Sequence, residues 1–481
     1  MVQQKLEGFS RDVFVYGIGD GLGRMIGLVM LPILSRIFGP AEYGAIDLLS
    51  VGYLFLLMLC QLSVNSGVQR YYYRHEGLER RRMVTSCLIY LVAINVVVAA
   101  VVFASAPWLA GFLDGPREVT LYAIRILAIA LVVEQTWSYL VLLLRLNRRA
   151  VTFSAMHIAL VVLTPSATVF FVVGRDAGIP GVFQAKLLAL VLVTLALFVV
   201  DRREFTPSAD FGVFRRVFLF AIPGHPGLMV SSVMNVVPRY LLAAFAPLAE
   251  VGLMGIALRL ASVMRVAMEA FNRAWNPFAY RNEGAPDERR IYEVVFRGAL
   301  TGVLVVASGL SLFSPEALVI LTPEEFRSAW RLAPFVIFSL GLDGLVRLFS
   351  TILYTRGRVV WSTYLGVVRF VLFLALGFAL VPRHGAMGLA IALALTSVAF
   401  ASAYAIVARR VFPFDLHPRR VAVAVGVAAV LVTLGLQIET TLGMRIAAKT
   451  AILLGIGFGA GAVLLEPTER RKLKSLVSRS A

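Results

Sequence analysis

Apolar runs of about 20 residues follow one another along the whole chain, centred near residues 24, 56, 94, 132, 163, 190, 225, 261, 303, 342, 370, 398, 429 and 455. A helix of that length crosses a hydrocarbon core about 30 Å thick. Inside lipid, only helices and closed barrels satisfy their own backbone hydrogen bonds. Barrel strands would need segments of about 10 residues with alternating polarity, and these runs do not alternate. The expected fold is an all-α polytopic membrane protein with about 14 transmembrane helices. Composition agrees, since 59% of the 481 residues are hydrophobic and 15% charged, far from a soluble domain. The first run is too long for a signal peptide and lacks a small-residue cleavage site, so the first helix is expected to stay.

The net charge of +18 would suggest nucleic acid in a soluble protein. Here the basic residues lie between spans and follow a topological pattern, so no nucleic-acid partner is expected. Arg80 to Arg82, Arg202, Arg203, Arg215, Arg216, Arg289, Arg290, Arg409, Arg410 and the tail Arg470, Arg471, Lys472 and Lys474 share one side, and the opposite connections hold few. By the positive-inside rule both termini are cytoplasmic, which requires an even number of spans. Cys60 and Cys87 sit inside apolar runs, which argues against a disulfide framework or a thiolate metal site. No Walker loop or nucleophile elbow occurs, so no cofactor is implied.

The chain is also duplicated. Phe38, Pro40, Glu42 and Gly44, in the turn after the first span, return as Phe245, Pro247, Glu250 and Gly252. Tyr73, Arg74, Glu76 and Gly77 return as Tyr280, Arg281, Glu283 and Gly284 at a constant offset of 207. Spans one to six (1–205) and seven to twelve (206–412) therefore form two lobes of like orientation. Spans thirteen and fourteen, with the basic tail (413–481), are an appendage. The connections are short, which argues against a membrane glycosyltransferase or polymerase. Such an enzyme would need essential carboxylates among external residues such as Asp114, Glu118, Glu316, Glu324 and Glu325. The expected class is a transporter and not an enzyme.

Charged groups inside a bilayer are costly, at about 2.5 to 3.5 kcal/mol each on the mildest scale, and so mark function or structural pairing. Arg24 lies at the middle of span one with Asp20 one turn before it. The two either neutralise each other or present a held arginine to an anion. Arg259, Arg265 and Glu269 lie on span eight, Glu134 on span four, and Asp343, Arg347 and Arg369 on spans ten and eleven. Arg24, Arg259 and Arg265 are candidates for holding a diphosphate, because the guanidinium fork binds phosphate oxygens in pairs. Asp20, Glu134, Glu269 and Asp343 are candidates for ion coupling. Lys186 and Arg125 are expected to snorkel near helix ends. Gln61, Asn65 and Gln69 form a polar stripe at four-residue steps on span two, and Asn272 repeats Asn65 on span eight. Such groups either hydrogen-bond neighbouring helices or line a polar route. Pro223-Gly224-His225-Pro226-Gly227 interrupts span seven and makes Pro223, Gly224, Pro226 and Gly227 the candidate hinge.

The run from Leu31 to Gly44, LPILSRIFGPAEYG, resembles the first-span signature of oligosaccharide flippases and polysaccharide exporters in the multidrug, oligosaccharidyl-lipid and polysaccharide (MOP) exporter superfamily. Ala274-Trp275-Asn276-Pro277-Phe278 and the stretch from Ile222 to Leu241 are similar to two further motifs of that branch. Pro238 stands where many such proteins carry an acid before the arginine ending span seven, here Arg239. The resemblance implies a V-shaped, two-lobed transporter of the bacterial cytoplasmic membrane. It would turn a polyprenyl-diphosphate-linked oligosaccharide between leaflets for lipopolysaccharide or O-antigen synthesis, with polysaccharide synthases or polymerases as candidate partners. Spans thirteen and fourteen would then accommodate the lipid tail. A multidrug exporter of the same superfamily, coupled to cations, is the alternative, and it would favour an acidic cavity. The residues leave open whether sodium, protons or membrane potential drives transport.

Overall fold

A computed structural model describes residues 27–112, 116–222 and 225–466, with the backbone alone at 112 and 226–232. The described regular structure is helical. In chain order it comprises α1 (Gly27–Ile37), α2 (Pro40–Cys60), α3 (Val64–Tyr72), α4 (Gly77–Leu109), α5 (Arg117–Leu146) and α6 (Ala150–Thr168). Then follow α7 (Gly178–Asp201), α8 (Phe211–Ala221), α9 (His225–Phe245), α10 (Leu248–Arg281) and α11 (Glu288–Leu312). The last are α12 (Ser314–Leu321), α13 (Ala333–Thr355), α14 (Val360–Val411), α15 (Pro418–Leu436) and α16 (Leu442–Leu464).

Among the described residues 11 helices are long and apolar enough to cross a membrane. One of them, α14, has 52 residues and would be about 78 Å long if straight. It instead folds back at Gly385, whose φ of 52° and ψ of −132° no helix contains. Spans eleven and twelve are thus two crossings joined at one glycine. Two shorter apolar helical stretches, α1 and the Val233–Phe245 part of α9, lie in the regions expected to hold spans one and seven. Helix starts follow local chemistry. Pro40 opens α2 while the Gly39 N–H donates to Glu42 at 3.1 Å, and Asp210 caps α8 by accepting from Gly212 N–H at 2.7 Å.

The duplication persists in detail. Gly77 and Gly284, one repeat length apart, both take positive φ, +55° and +76°, the left-handed backbone that glycine adopts without strain. Ser86 of α4 and Glu293 of α11, also one repeat length apart, each accept a backbone N–H from the connection leaving that lobe. The donors are Asp210 at 2.8 Å and Asp415 at 2.8 Å.

Packing divides the chain into two compact units, residues up to Ala243 with Pro247–Gly252, and Ala244–Ala246 with residues from Leu253 onward. The lobe boundary drawn from the repeat, at 205/206, is a matter of topology, and packing groups α8 and most of α9 with the first unit. The reason is local. Gly67 of α3 presents bare backbone to α8, where a methyl would meet Val217 at 2.7 Å. Phe214 and Val217 of α8 then join Val64, Val68, Tyr139 and Phe153 in one buried cluster. On α9, Arg239 pairs with Asp47 of α2 at 2.8 Å. Where Gly44 faces the start of α10, a methyl would collide with the Leu248 carbonyl, and one on Gly252 with that of Pro40. The duplicated glycines of the two turns therefore lie against each other.

In the second unit, α11 packs against α13, α15 and α16. Lys449 of α16, 1% exposed, reaches Glu316 of α12 at 2.6 Å. A lone buried ammonium is strongly disfavoured, so this pair fixes the last helix to the lobe. Glu316, a candidate external carboxylate on sequence, is thereby engaged structurally. Asp114 lies outside the described residues.

Candidate functional site

Span two is not one helix. It stops at Cys60 and resumes at Val64, and Leu62 and Ser63 between them take φ of 48° and 54°. Left-handed non-glycine residues cost on the order of 1–3 kcal/mol each. Non-helical backbone within an apolar span is tolerated only where it is buried in protein or lines a wet cavity. Both conditions are met. Ser63 is buried and its hydroxyl lies 3.2 Å from Nδ1 of His225, the first residue of α9 at the interruption of span seven. On the other side of the break lies a cavity of about 300 Å³.

Gln61, Asn65 and Gln69 all line this cavity. The expectation of a stripe along one continuous helix is corrected by the break, since Gln61 precedes it and Asn65 and Gln69 follow on α3. Ser63 and Ser66 complete that wall. The opposing wall is built by α5 and α6, with Trp137, Ser138 and Arg145 from α5 and His157 from α6. The Arg145 guanidinium lies 4.7 Å above the Phe153 ring, and the Trp137 and His157 rings are 5.1 Å apart. The His157 ring also meets the Phe153 carbonyl at 2.9 Å through Nδ1. Among the described residues the lining is amide, hydroxyl, aromatic, imidazole and guanidinium.

The other singled-out residues lie elsewhere. Arg24 and Asp20 fall outside the described residues, as do Pro223 and Gly224. Pro226 and Gly227 occupy the first turn of α9, where proline is compatible with a helix. Arg259, Arg265, Glu269 and Asn272 are on α10. Asn272 is buried and donates to the carbonyls of Met268 at 2.7 Å and Gly344 at 3.3 Å, a helix-packing arrangement. Glu134 accepts from Tyr53 at 2.6 Å and pairs with Lys186 at 2.8 Å. Lys186 thus does not snorkel, because a carboxylate one helix away satisfies it. Asp343 pairs with Arg369 at 2.7 Å and also accepts from Ser397 at 3.1 Å.

A profile of the polysaccharide biosynthesis protein family matches residues 9–281, more than half of the chain. The chain belongs to this family. Its fold is shared with MOP-superfamily transporters of known structure. The lipid II flippase MurJ in an inward closed conformation superposes with a TM-score of 0.75 at 11% identity, over 94% of this chain and 100% of the other. An inward-facing multidrug resistance MATE family transporter gives 0.67 at 14%, over 82% and 97%. A MOP superfamily transporter from Pyrococcus furiosus, described by a reversed polarity of its binding pocket, gives 0.56 at 15%, over 84% and 95%. No curated protein matches by sequence. The family member described here is therefore a multi-pass membrane protein with the fold of a MOP transporter.

Two groups of residues escaped the sequence reading of this family member. Asp47 is a lone acid inside an apolar run, which should have drawn the same attention as Glu134. Trp137, Ser138, Arg145 and His157 join Gln61, Asn65 and Gln69 only through tertiary packing.

Proposed function

We propose that this protein is a flippase that carries a polyprenyl-diphosphate-linked oligosaccharide across the bacterial cytoplasmic membrane by alternating access, for cell-surface polysaccharide synthesis. The observation that carries the reading is the character of the cavity in the first unit. Among the described residues its walls offer amides, hydroxyls, an indole, an imidazole and the Arg145 guanidinium. Polar, uncharged walls suit the hydroxyls of a glycan, and Arg145 suits an anion.

In this reading Arg24, Arg259 and Arg265 bind the diphosphate and Gln61, Asn65 and Gln69 belong to the sugar route, while Asn272, bonded to the Met268 and Gly344 carbonyls, packs helices. Both termini are cytoplasmic, in keeping with the arginine pattern. The breaks in spans two and seven, joined by Ser63 and His225, supply the flexing segment. Glu134 and Asp343, each held by a cation, are the carboxylates through which a sodium or proton gradient would act, with Asp20 and Glu269 as the remaining candidates. Synthases or polymerases acting on the same glycan are the expected partners.

The test is binding and vesicle translocation of a short-chain polyprenyl-diphosphate trisaccharide, wild type against Arg24→Ala, Arg259→Ala and Arg265→Ala. Loss of one charge-assisted phosphate contact weakens binding by about tenfold or more, with thermal unfolding unchanged. Equal binding by all variants, or preference for a cationic dye over the diphosphate ligand, would overturn the assignment.

A further inference from the structure

Where α3 ends, two guanidiniums lie on aromatic rings. Arg70, in the last turn of α3, sits 4.2 Å above the Phe220 ring of α8, and Arg74, in the turn that closes α3, lies 5.9 Å from the Tyr71 ring. Phe220 and Tyr71 meet edge to face at 5.9 Å, so the two cations share one aromatic platform. Both arginines are exposed. In the same unit Arg80 is held by Glu204 at 3.9 Å and Arg149 by Asp201 at 3.1 Å, whereas among the described residues no carboxylate pairs with Arg70 or Arg74. An aromatic ring covers the face of a guanidinium and leaves free the N–H donors along its edge. Oriented donors of this kind suit phosphate oxygens, which accept them in pairs. The helix beside them carries the complementary apolar surface. On α8, Phe214, Val217 and Ala221 are buried, while Leu219 and Phe220 are 51% and 40% exposed. Uncovered apolar side chains next to unpaired cations reproduce the polarity step of a phospholipid, from headgroup to acyl chain.

We propose that the α3–α8 pair binds one anionic phospholipid of the surrounding leaflet, with Arg70 and Arg74 on its phosphodiester and an acyl chain along Leu219 and Phe220. The site is separate from the cavity between α3 and α5 and does not depend on what the protein carries. Arg215 and Arg216, exposed on the same helix, add positive charge that opposes the ammonium of a zwitterionic headgroup, so headgroup charge sets the selection. Phe220 joins the two halves of the site, since it orients Arg70 and also faces the chain. Position gives the site a consequence. α3 is the part of span two that follows the break at Leu62 and Ser63, and α8 is the part of span seven that precedes its interruption. Gly67 already seats α8 on α3 through Val217. A lipid laid across both adds a further contact to that pair, and so couples the charge of the membrane to the two segments that adjoin the breaks.

The experiment uses the purified full-length chain in phosphatidylcholine nanodiscs, titrated with phosphatidylglycerol in the absence and presence of inorganic phosphate or the short-chain polyprenyl-diphosphate trisaccharide. Native mass spectrometry counts the phosphatidylglycerol retained, and wild type should hold one molecule more tightly than any phosphatidylcholine. Arg70→Gln and Arg74→Gln should each weaken that site about fivefold, and the double variant about thirtyfold. Phe220→Leu keeps every charge and an apolar side chain but removes the ring under Arg70, and should weaken it about threefold. The double variant Arg81→Gln and Arg82→Gln removes the same charge from exposed arginines of the same unit and should leave the site unchanged. Thermal unfolding in phosphatidylcholine alone should be the same for every variant, which separates lost binding from lost folding. An equal loss in the Arg81 and Arg82 variant would mean diffuse surface charge and overturn the site. Equal retention by wild type and the Arg70 and Arg74 double variant, or equal retention of the two lipids, would do the same. Displacement of phosphatidylglycerol by phosphate, or by the diphosphate trisaccharide at equal concentration, would give the arginines to a free anion or to the cargo and overturn the lipid as their occupant.

Discussion

Span two and its counterpart one repeat length later, span eight, differ at the same point. The first unit interrupts the helix at Gln61 to Ser63 with two left-handed residues, and α10 runs unbroken through Met268 to Ala270. The neighbouring helix differs to match. Beside the break, α5 offers Trp137 and Ser138 to a cavity. In the second unit α13 offers Gly344, and Met268 fills the space so closely that a methyl on Gly344 would meet its side chain at 2.5 Å. The polar side chains follow suit, with Asn65 among the residues lining the cavity and the Asn272 amide N–H donating to the Gly344 carbonyl. Duplication thus supplies one scaffold twice, and at this point the first copy is open where Met268 fills the second.

The largest contrast concerns buried charge. Lys449 and Glu316 in the second unit have side chains 2% and 13% exposed, whereas Lys186 and Glu134 in the first are 30% and 21% exposed. Glu316→Gln strands a buried ammonium and should lower stability by about 3 kcal/mol or more. Glu134→Gln leaves the less deeply buried Lys186, which keeps the Tyr53 ring at 4.1 Å, and should cost less than Glu316→Gln. Thermal unfolding in detergent decides, and equal losses would break the contrast between a filled unit and an open one.

Packing gives the next effect. Gly344→Val must push Met268 aside and should cost about 1–3 kcal/mol. Ser138→Val points into open volume and should change stability by less than about 0.5 kcal/mol. If Ser138→Val destabilises as much as Gly344→Val, the cavity is not the open space its geometry describes.

Much of this fold was legible in the chain, for physical reasons that also set the limit. Apolar runs of spanning length are dictated by the bilayer, so the crossings could be counted, and Pro223 to Gly227 marked an interruption because proline and glycine act locally. The break at Leu62 and Ser63 was not legible. Neither residue disfavours a helix strongly on its own, and the backbone departs from the helix there because of what surrounds it. The cavity was half legible. Gln61, Asn65 and Gln69 stood out as polar groups in an apolar run, but Trp137 and His157 are ordinary residues until α5 and α6 bring them opposite. Asn272 looked equivalent to Asn65 because a repeat in sequence does not record that Met268 and Gly344 close the matching space.

The break itself can be tested by substitutions of opposite sign. Asparagine tolerates left-handed backbone better than serine, so Ser63→Asn, which keeps a polar group near His225, should leave stability unchanged or raise it by a few tenths of a kcal/mol. At the equivalent point of the unbroken helix, Ala270→Asn should cost about 0.7 kcal/mol, the propensity difference. Equal losses at both would mean that span two is helical through Ser63 in solution.

The smallest effect distinguishes the connections that leave the two lobes. In the first, Ser86 accepts from Asp210 N–H at 2.8 Å. A hydroxyl does not titrate, so Ser86→Ala should cost about 1 kcal/mol equally at pH 7 and pH 4. In the second, Asp415 accepts from the His417 N–H at 2.9 Å. That hydrogen bond, with the His417 side chain, Arg409 and Arg289 nearby, holds its carboxyl below the ordinary value of 3.8. A depressed folded-state value means the carboxylate stabilises the native connection above the unfolded value, and that contribution is lost as pH falls through the folded one. The Asp415 side chain is about half exposed, so the effect is small, and its sign is the informative part. Asp415→Asn should lower the unfolding temperature slightly at pH 7, and the difference from wild type should shrink towards zero below about pH 4. A difference that persists undiminished at low pH would show that Asp415 acts through its shape and not its charge, making this connection equivalent to the one at Ser86.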